Sequence, residues 1–140
     1  MATLARMAVE QTLAETLSCR RVLLVEDDRA LNELLTEFLE LQGLEVTAVE
    51  SGDDALRELE GDAPPDIVLL DLRVPGISGG EVLRRMKQNP RWSHIPVAAM
   101  TGMRPGEFHL VADPDEFLAK PFDIDALSAA LVRMCEERHS

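Results

Sequence analysis

Asp66-Ile67-Val68-Leu69-Leu70-Asp71 sets a short apolar, partly β-branched run between two carboxylates. It is too short for a helix and does not alternate, so it reads as a strand buried on both faces. Three more stretches share its form. Arg21-Val22-Leu23-Leu24-Val25 runs into Glu26-Asp27-Asp28, and Ile95-Pro96-Val97-Ala98-Ala99-Met100 ends on Thr101. Glu116-Phe117-Leu118-Ala119 ends on Lys120-Pro121. Strands of this kind build parallel sheets, whose sites lie beyond the carboxyl ends of the strands at a topological switch point. If the four are neighbours, three carboxylates, a hydroxyl and an ammonium meet at one rim. That donor set suits a hard divalent cation and a phosphoryl group.

Helical signals fill the gaps. After Asp28, placed as a cap, Leu31, Leu34, Leu35 and Phe38 recur at helical spacing, which predicts a helix from about Arg29 to Leu41 stopped by Gly43. Leu44 to Val49 alternates as a second strand, and Ser51 caps a short helix holding Ala55, Leu56 and Leu59. Val74 to Gly80 is rich in turn formers and predicts a loop before a helix carrying Val82, Leu83 and Met86. Between Met103 and Asp115 there is room only for a short helix near Glu107 to Val111. The last helix, from Asp123 to about Arg138, is expected to turn Ile124, Leu127, Leu131 and Met134 inward. With right-handed crossovers the order becomes 2-1-3-4-5: an α/β, doubly wound, five-stranded parallel sheet of flavodoxin-like type with a shortened fourth helix.

With 140 residues, the chain is sized for one domain. Fourteen Lys and Arg against 26 Asp and Glu give a net charge of −12, a field that repels nucleic acid and anionic lipid. No apolar run reaches the roughly 18 residues that a membrane span needs, and no basic-then-apolar leader opens the chain. A cytoplasmic protein is expected, with Cys19 and Cys135 as two reduced thiols because their spacing matches no metal or redox motif. Residues 1–19 read as a separate extension, helical or disordered, ahead of a domain spanning 20–140.

Carboxylates at Glu26, Asp27 and Asp71 cannot all stay ionised side by side. Two like charges 4 Å apart repel by roughly 4 kcal/mol at an effective dielectric near 20, and Lys120 supplies only one positive charge. Mg2+ takes one or two carboxylates, keeps several waters and favours phosphate oxygens, which answers that deficit. Asp71 can then act as a nucleophile toward phosphorus, giving an acyl phosphate. Lys120 pairs with one phosphoryl oxygen, the Thr101 hydroxyl donates to another, and Gly102 leaves the group room to approach. Pro121 is a candidate for a cis peptide bond that aims the ammonium inward.

The motifs Val25-Glu26-Asp27-Asp28, Leu70-Asp71-Leu72-Arg73-Val74-Pro75-Gly76, Met100-Thr101-Gly102 and Lys120-Pro121-Phe122 resemble those of response-regulator receiver domains of two-component signalling. In extent the chain is similar to the single-domain, chemotaxis-regulator kind, over about Arg20 to Arg138. The resemblance implies that Asp71 accepts phosphate from a histidine kinase or a phosphotransfer protein. It also implies Mg2+ ligation by the side chains of Asp27 and Asp71 and the backbone carbonyl of Arg73, with Glu26 acting through a bound water. Thr101 and Phe117 match the family's switch pair, in which a hydroxyl moves to the phosphoryl group and a ring turns inward. Two features depart from the family: the short stretch between Thr101 and Lys120, and the large cation at Arg73.

The expected function is a stand-alone phosphorylation switch acting on another protein. It is expected to be no enzyme beyond assisting its own phosphorylation and dephosphorylation, with no nucleic-acid-binding module expected after the last helix. Two alternatives are a phosphorylation-independent interaction module and an aspartyl-phosphate phosphohydrolase. The latter usually needs an acid where this chain has Arg73. The kinase, the target, the phosphoryl lifetime and the oligomeric state have no signature in the sequence.

Overall fold

The computed structural model describes residues 18–104, 107 and 109–138. The reading of the N-terminal extension therefore falls, up to residue 17, outside the described residues. Five strands, β1 (Arg21–Val25), β2 (Glu45–Val49), β3 (Ile67–Asp71), β4 (Val97–Thr101) and β5 (Glu116–Ala119), form one sheet in the order β2-β1-β3-β4-β5. Every neighbouring pair is parallel. Among the described residues four helices accompany them: α1 (Arg29–Leu41), α2 (Gly52–Leu59), α3 (Gly79–Gln88) and α4 (Ile124–Arg138). The fold is the doubly wound one that the four runs predict.

Alternation along the strands divides the core in two, because successive side chains point to opposite faces. Val22, Leu24, Ile67, Leu69, Ala98 and Met100 face α1 and α4, packing with Leu35, Leu39, Leu127 and Leu131. Leu23, Val25, Val68, Leu70 and Val97 face α2 and α3, packing with Ala55, Leu59, Val82 and Leu83. β3 and β4 are buried along their whole length, which explains their unbroken apolar sequence. The edge strands β2 and β5 keep exposed positions.

Caps set the helix starts. Asp28, Ser51 and Ser78 accept from the backbone N–H groups of Leu31, Asp54 and Glu81 at 3.1, 3.1 and 3.2 Å. Gly43, with φ of 83°, turns the chain after α1. Two helical positions differ from the sequence reading: Leu34 is 59% exposed and Ile124 is 42% exposed. Leu34 sits one residue, about 100° of helix, away from the buried stripe through Leu35 and Leu39. Ile124 opens α4 before that helix reaches the sheet.

The stretch between β4 and β5 also differs. Among its described residues no helix forms near Glu107 to Val111; bends and irregular backbone take its place. A five-residue segment cannot repay helix nucleation, and Gly106 and the flanking Pro105 and Pro114 disfavour it further. Leu110 and Ala112 pack from this stretch against the α2/α3-side core. Asp115 fixes its end, accepting from Val97 N–H at 2.8 Å and pairing with Lys87 at 3.0 Å.

The reading of two separate thiols is corrected. Cys19, just before β1, and Cys135, on α4, form a disulfide with Cα atoms 5.9 Å apart. Both are buried, in the cluster beneath α4. α4 crosses the start of β1, so residues 116 positions apart become neighbours.

Candidate functional site

The register places the strand ends level with one another. Val25 lies beside Leu70, Asp71 beside Met100 and Thr101 beside Ala119. The polar residues that end β1, β3, β4 and β5 therefore share one rim of the sheet.

Glu26 continues β1 for one more residue, since its N–H donates to Val49 O at 3.0 Å. Its side chain is fully buried. One carboxylate oxygen accepts from the Asp28 N–H at 3.0 Å and the other from Lys120 Nζ at 2.5 Å. Asp27 is exposed at the mouth. Asp71, 5% exposed, accepts from Lys120 Nζ at 2.8 Å through Oδ2 and from the Arg73 N–H at 2.8 Å through Oδ1. Lys120 is held by its own backbone, whose N–H donates to Thr101 O at 2.7 Å. The Lys120–Pro121 peptide bond is cis.

Thr101 is buried, and its Oγ1 accepts from the Met103 N–H at 3.0 Å. A Cβ added at Gly102 would meet only Lys120 Cβ, at an ordinary 3.9 Å, so packing within the protein does not demand glycine there. Phe117 is 52% exposed, which sets aside a plain core role for its ring. The Arg73 side chain is exposed beside the pocket. Sequence reasoning missed Asn32, whose amide donates to Glu26 O at 2.9 Å and Val49 O at 3.4 Å, tying the ends of β1 and β2 together. Its signal was available: a polar residue between Leu31 and Leu35 on the inner side of α1.

The electrostatics follow from burial. Burial pushes the Glu26 carboxyl above its ordinary range; Lys120 opposes the rise and neighbouring Asp71 adds to it. Burial alone would lower the Lys120 ammonium, but hydrogen bonds and charge from Asp71 and Glu26 together outweigh it and hold the group above its ordinary value. One ammonium among three carboxylates leaves the pocket short of positive charge. Glu26, Asp27 and Asp71 can each present an oxygen within 4.8 Å of the others. Oxygens on opposite sides of an octahedral Mg2+ lie about 4.1 Å apart, so these side chains fit such an ion with small adjustments. Beside the pocket runs a groove of about 540 Å3 walled by Ala30, Leu31, Leu34, Lys120, Pro121 and Phe122.

Comparison with known proteins agrees with this geometry. The family model described as "Response regulator receiver domain" matches residues 22–132. The phosphate regulon transcriptional regulatory protein PhoB of Rhizobium meliloti is 34% identical over 119 residues, covering 81% of this chain and 51% of that protein. Sporulation initiation phosphotransferase F of Bacillus subtilis is 34% identical over 116 residues, covering 79% of this chain and 90% of that protein. The chain spans about half or less of the length of several other curated relatives. Among solved structures, the receiver domain of a sensor histidine kinase from Pseudomonas aeruginosa has a TM-score of 0.76 at 27% identity, covering 84% of this chain and 98% of that one. It holds a magnesium ion coordinated in its active-site cleft. A CheY-like receiver domain from Methylobacillus flagellatus has a TM-score of 0.71 at 29% identity, covering 83% and 98%. Among the described residues, no helix is long and apolar enough to cross a membrane.

Proposed function

The chain belongs to the response regulator receiver family of two-component signalling, and from that premise we propose that it is a stand-alone phosphorylation switch with Asp71 as phosphoacceptor. A carboxylate oxygen of Asp71 attacks the phosphorus of a phosphohistidine on a histidine kinase or phosphotransfer protein. The P–N bond breaks, its electron pair stays on the imidazole nitrogen, and that nitrogen takes a proton. The side chains of Asp27 and Asp71 and the carbonyl of Arg73 would hold Mg2+, with Glu26 acting through water. When bound, the ion supplies the positive charge that the pocket lacks and neutralises the transferring group.

One observation carries this reading: Lys120 Nζ bridges buried Glu26 and Asp71 at 2.5 and 2.8 Å. On phosphorylation Lys120 keeps Glu26 and exchanges its Asp71 contact for a phosphoryl oxygen. Thr101 donates its hydroxyl to a second oxygen, where Gly102 leaves space, and Phe117 turns inward from its half-exposed position. Moving a switch from 1% to 99% active takes about 5.5 kcal/mol, within reach of a few charge-assisted hydrogen bonds at roughly 1.5–3 kcal/mol each. The groove beside Lys120, with Leu34 exposed on its rim, is where the phosphodonor protein would dock.

Receivers of this extent occur as whole proteins among its relatives, since the matched region makes up 90% of the sporulation phosphotransferase. The acidic balance supports a protein partner over nucleic acid, and a cytoplasmic location belongs to the same reading. Incubation with a small acyl phosphate and Mg2+ tests it. One phosphoryl adduct per chain is expected by intact mass, mapped to Asp71 and absent in Asp71→Asn. Continuous turnover of the donor without a lasting adduct favours a hydrolase; no adduct and no turnover favours a phosphorylation-independent module.

A further inference from the structure

The loop that carries Arg73 is held from a second side. Its near end is pinned by the Arg73 N–H on Asp71 Oδ1. Its far end is pressed against the first turn of α2. The Gly52 N–H donates to Pro75 O at 3.3 Å, and a Cβ on Gly52 would stand 1.8 Å from Ile77 O. The next residue, Asp53, accepts from the Ile77 N–H at 3.3 Å through Oδ1. Its Oδ2 occupies the space a side chain at residue 76 would need: a Cβ there would lie 2.7 Å from it. Gly76, with φ of 74°, has no Cβ to exclude that carboxylate and adopts a backbone that other residues rarely take.

We propose that Asp53 is a positioning residue for the metal site, fixing the 73–77 loop so that the Arg73 carbonyl is presented to the ion. This rests on the metal reading given above. Partners one shell out from a metal typically change its affinity tenfold or more when removed. Asp53 acts further along the chain, so a smaller effect is expected. The competing explanation is that Asp53 merely places a negative charge at a helix N-terminus. Asp54 sits in the same turn and pairs with Arg57 at 2.5 Å, so it provides a matched control.

Mg2+ titration by calorimetry separates the two. Asp53→Ala should bind Mg2+ about fivefold more weakly than the native protein. Asp53→Asn, which keeps an acceptor oxygen but no charge, should bind within about twofold of native, and Asp54→Ala should not change affinity. Native affinity in Asp53→Ala, or an Asn variant as weak as the Ala variant, overturns the proposal. Asp71→Asn should abolish the binding; if it does not, the metal site itself is misplaced and this inference falls with it. A measurement on the native protein needs no variant to fold. Linkage is reciprocal, so Mg2+ should slow hydrogen exchange at the Ile77 amide, and an unchanged rate there also overturns the coupling.

Discussion

Glu26 is sealed from solvent, and that burial makes its carboxyl proton harder to remove than an exposed glutamate's. Its carboxyl lies above the ordinary 4.5 in the folded state, chiefly through burial, so the folded protein keeps this proton when the unfolded chain has released it. By linkage, its contribution to stability is greatest below pH 4.5 and declines as pH rises through the higher folded value. A glutamine in its place would mimic the protonated form and carry no such decline. In Mg2+-free buffer, Glu26→Gln should therefore gain stability over the native protein as pH rises from about 4 to 7, by denaturant unfolding at each pH. A constant difference would remove the argument. Lys120, held above its ordinary value, keeps its full contribution up to about pH 10.5 and loses it only as pH passes its higher folded value, so it does not contaminate the test. The sequence made this group of residues legible because each stands at the end of an apolar run. It did not reveal that Glu26 would be the buried partner of Lys120 while Asp27 stayed at the mouth, since that division depends on which way the chain turns after β1.

At the scale of elements, the approach of α3 to β3 is set by a residue that helix propensity would reject. Gly79 is the first residue of α3, and a Cβ there would lie 2.2 Å from Asp71 O and 2.6 Å from Leu72 Cα. Both are backbone atoms, so relief requires moving the helix or the strand end that carries Asp71. Gly80 is different: its Cβ would meet only side-chain atoms, the nearest being the end of Leu110 at 3.3 Å. Alanine is favoured over glycine in a helix by about 1 kcal/mol, whereas overpacking costs roughly 1–3 kcal/mol or more. Gly80→Ala should therefore raise stability by about 0.5 kcal/mol, and Gly79→Ala should lower it by about 2 kcal/mol, measured by urea unfolding. Equal gains from both would show that α3 is free to shift. The sequence placed both glycines in a loop, which is what glycine signals locally; the close helix–strand approach that makes Gly79 useful is a tertiary fact. The β4–β5 segment repeats the lesson in reverse. The room between Met103 and Asp115 predicts a short helix, and among the described residues Leu110 and Ala112 instead pack against the core without forming one.

For the whole molecule, the sheet order and the two-sided core were legible because β3 and β4 are apolar up to their last residue while the helix between them is amphipathic. The Cys19–Cys135 bond was not, since no spacing rule anticipates that α4 will lie across the start of β1. Its consequence is global. It closes a loop of 116 residues around nearly the whole domain, and disulfides typically contribute on the order of 3 kcal/mol, largely by restricting the unfolded chain. For a domain of this size that corresponds to roughly 10 °C in Tm. The bond sits at the amino end of β1, about 17 Å along the strand from the carboxylates at its other end, given a rise of some 3.3 Å per residue. Reduction should therefore lower Tm by about that amount and leave phosphoryl acceptance at about 25 °C unchanged, with Cys19→Ser/Cys135→Ser matching the reduced protein in both respects. The two arms separate stability from site geometry: an unchanged Tm would mean that the thiols do not bridge in solution, and a loss of acceptance below the unfolding temperature would mean that α4 transmits their state to Lys120. Both cysteines are buried, and the redox state of this pair fixes which of the two stabilities the protein works with.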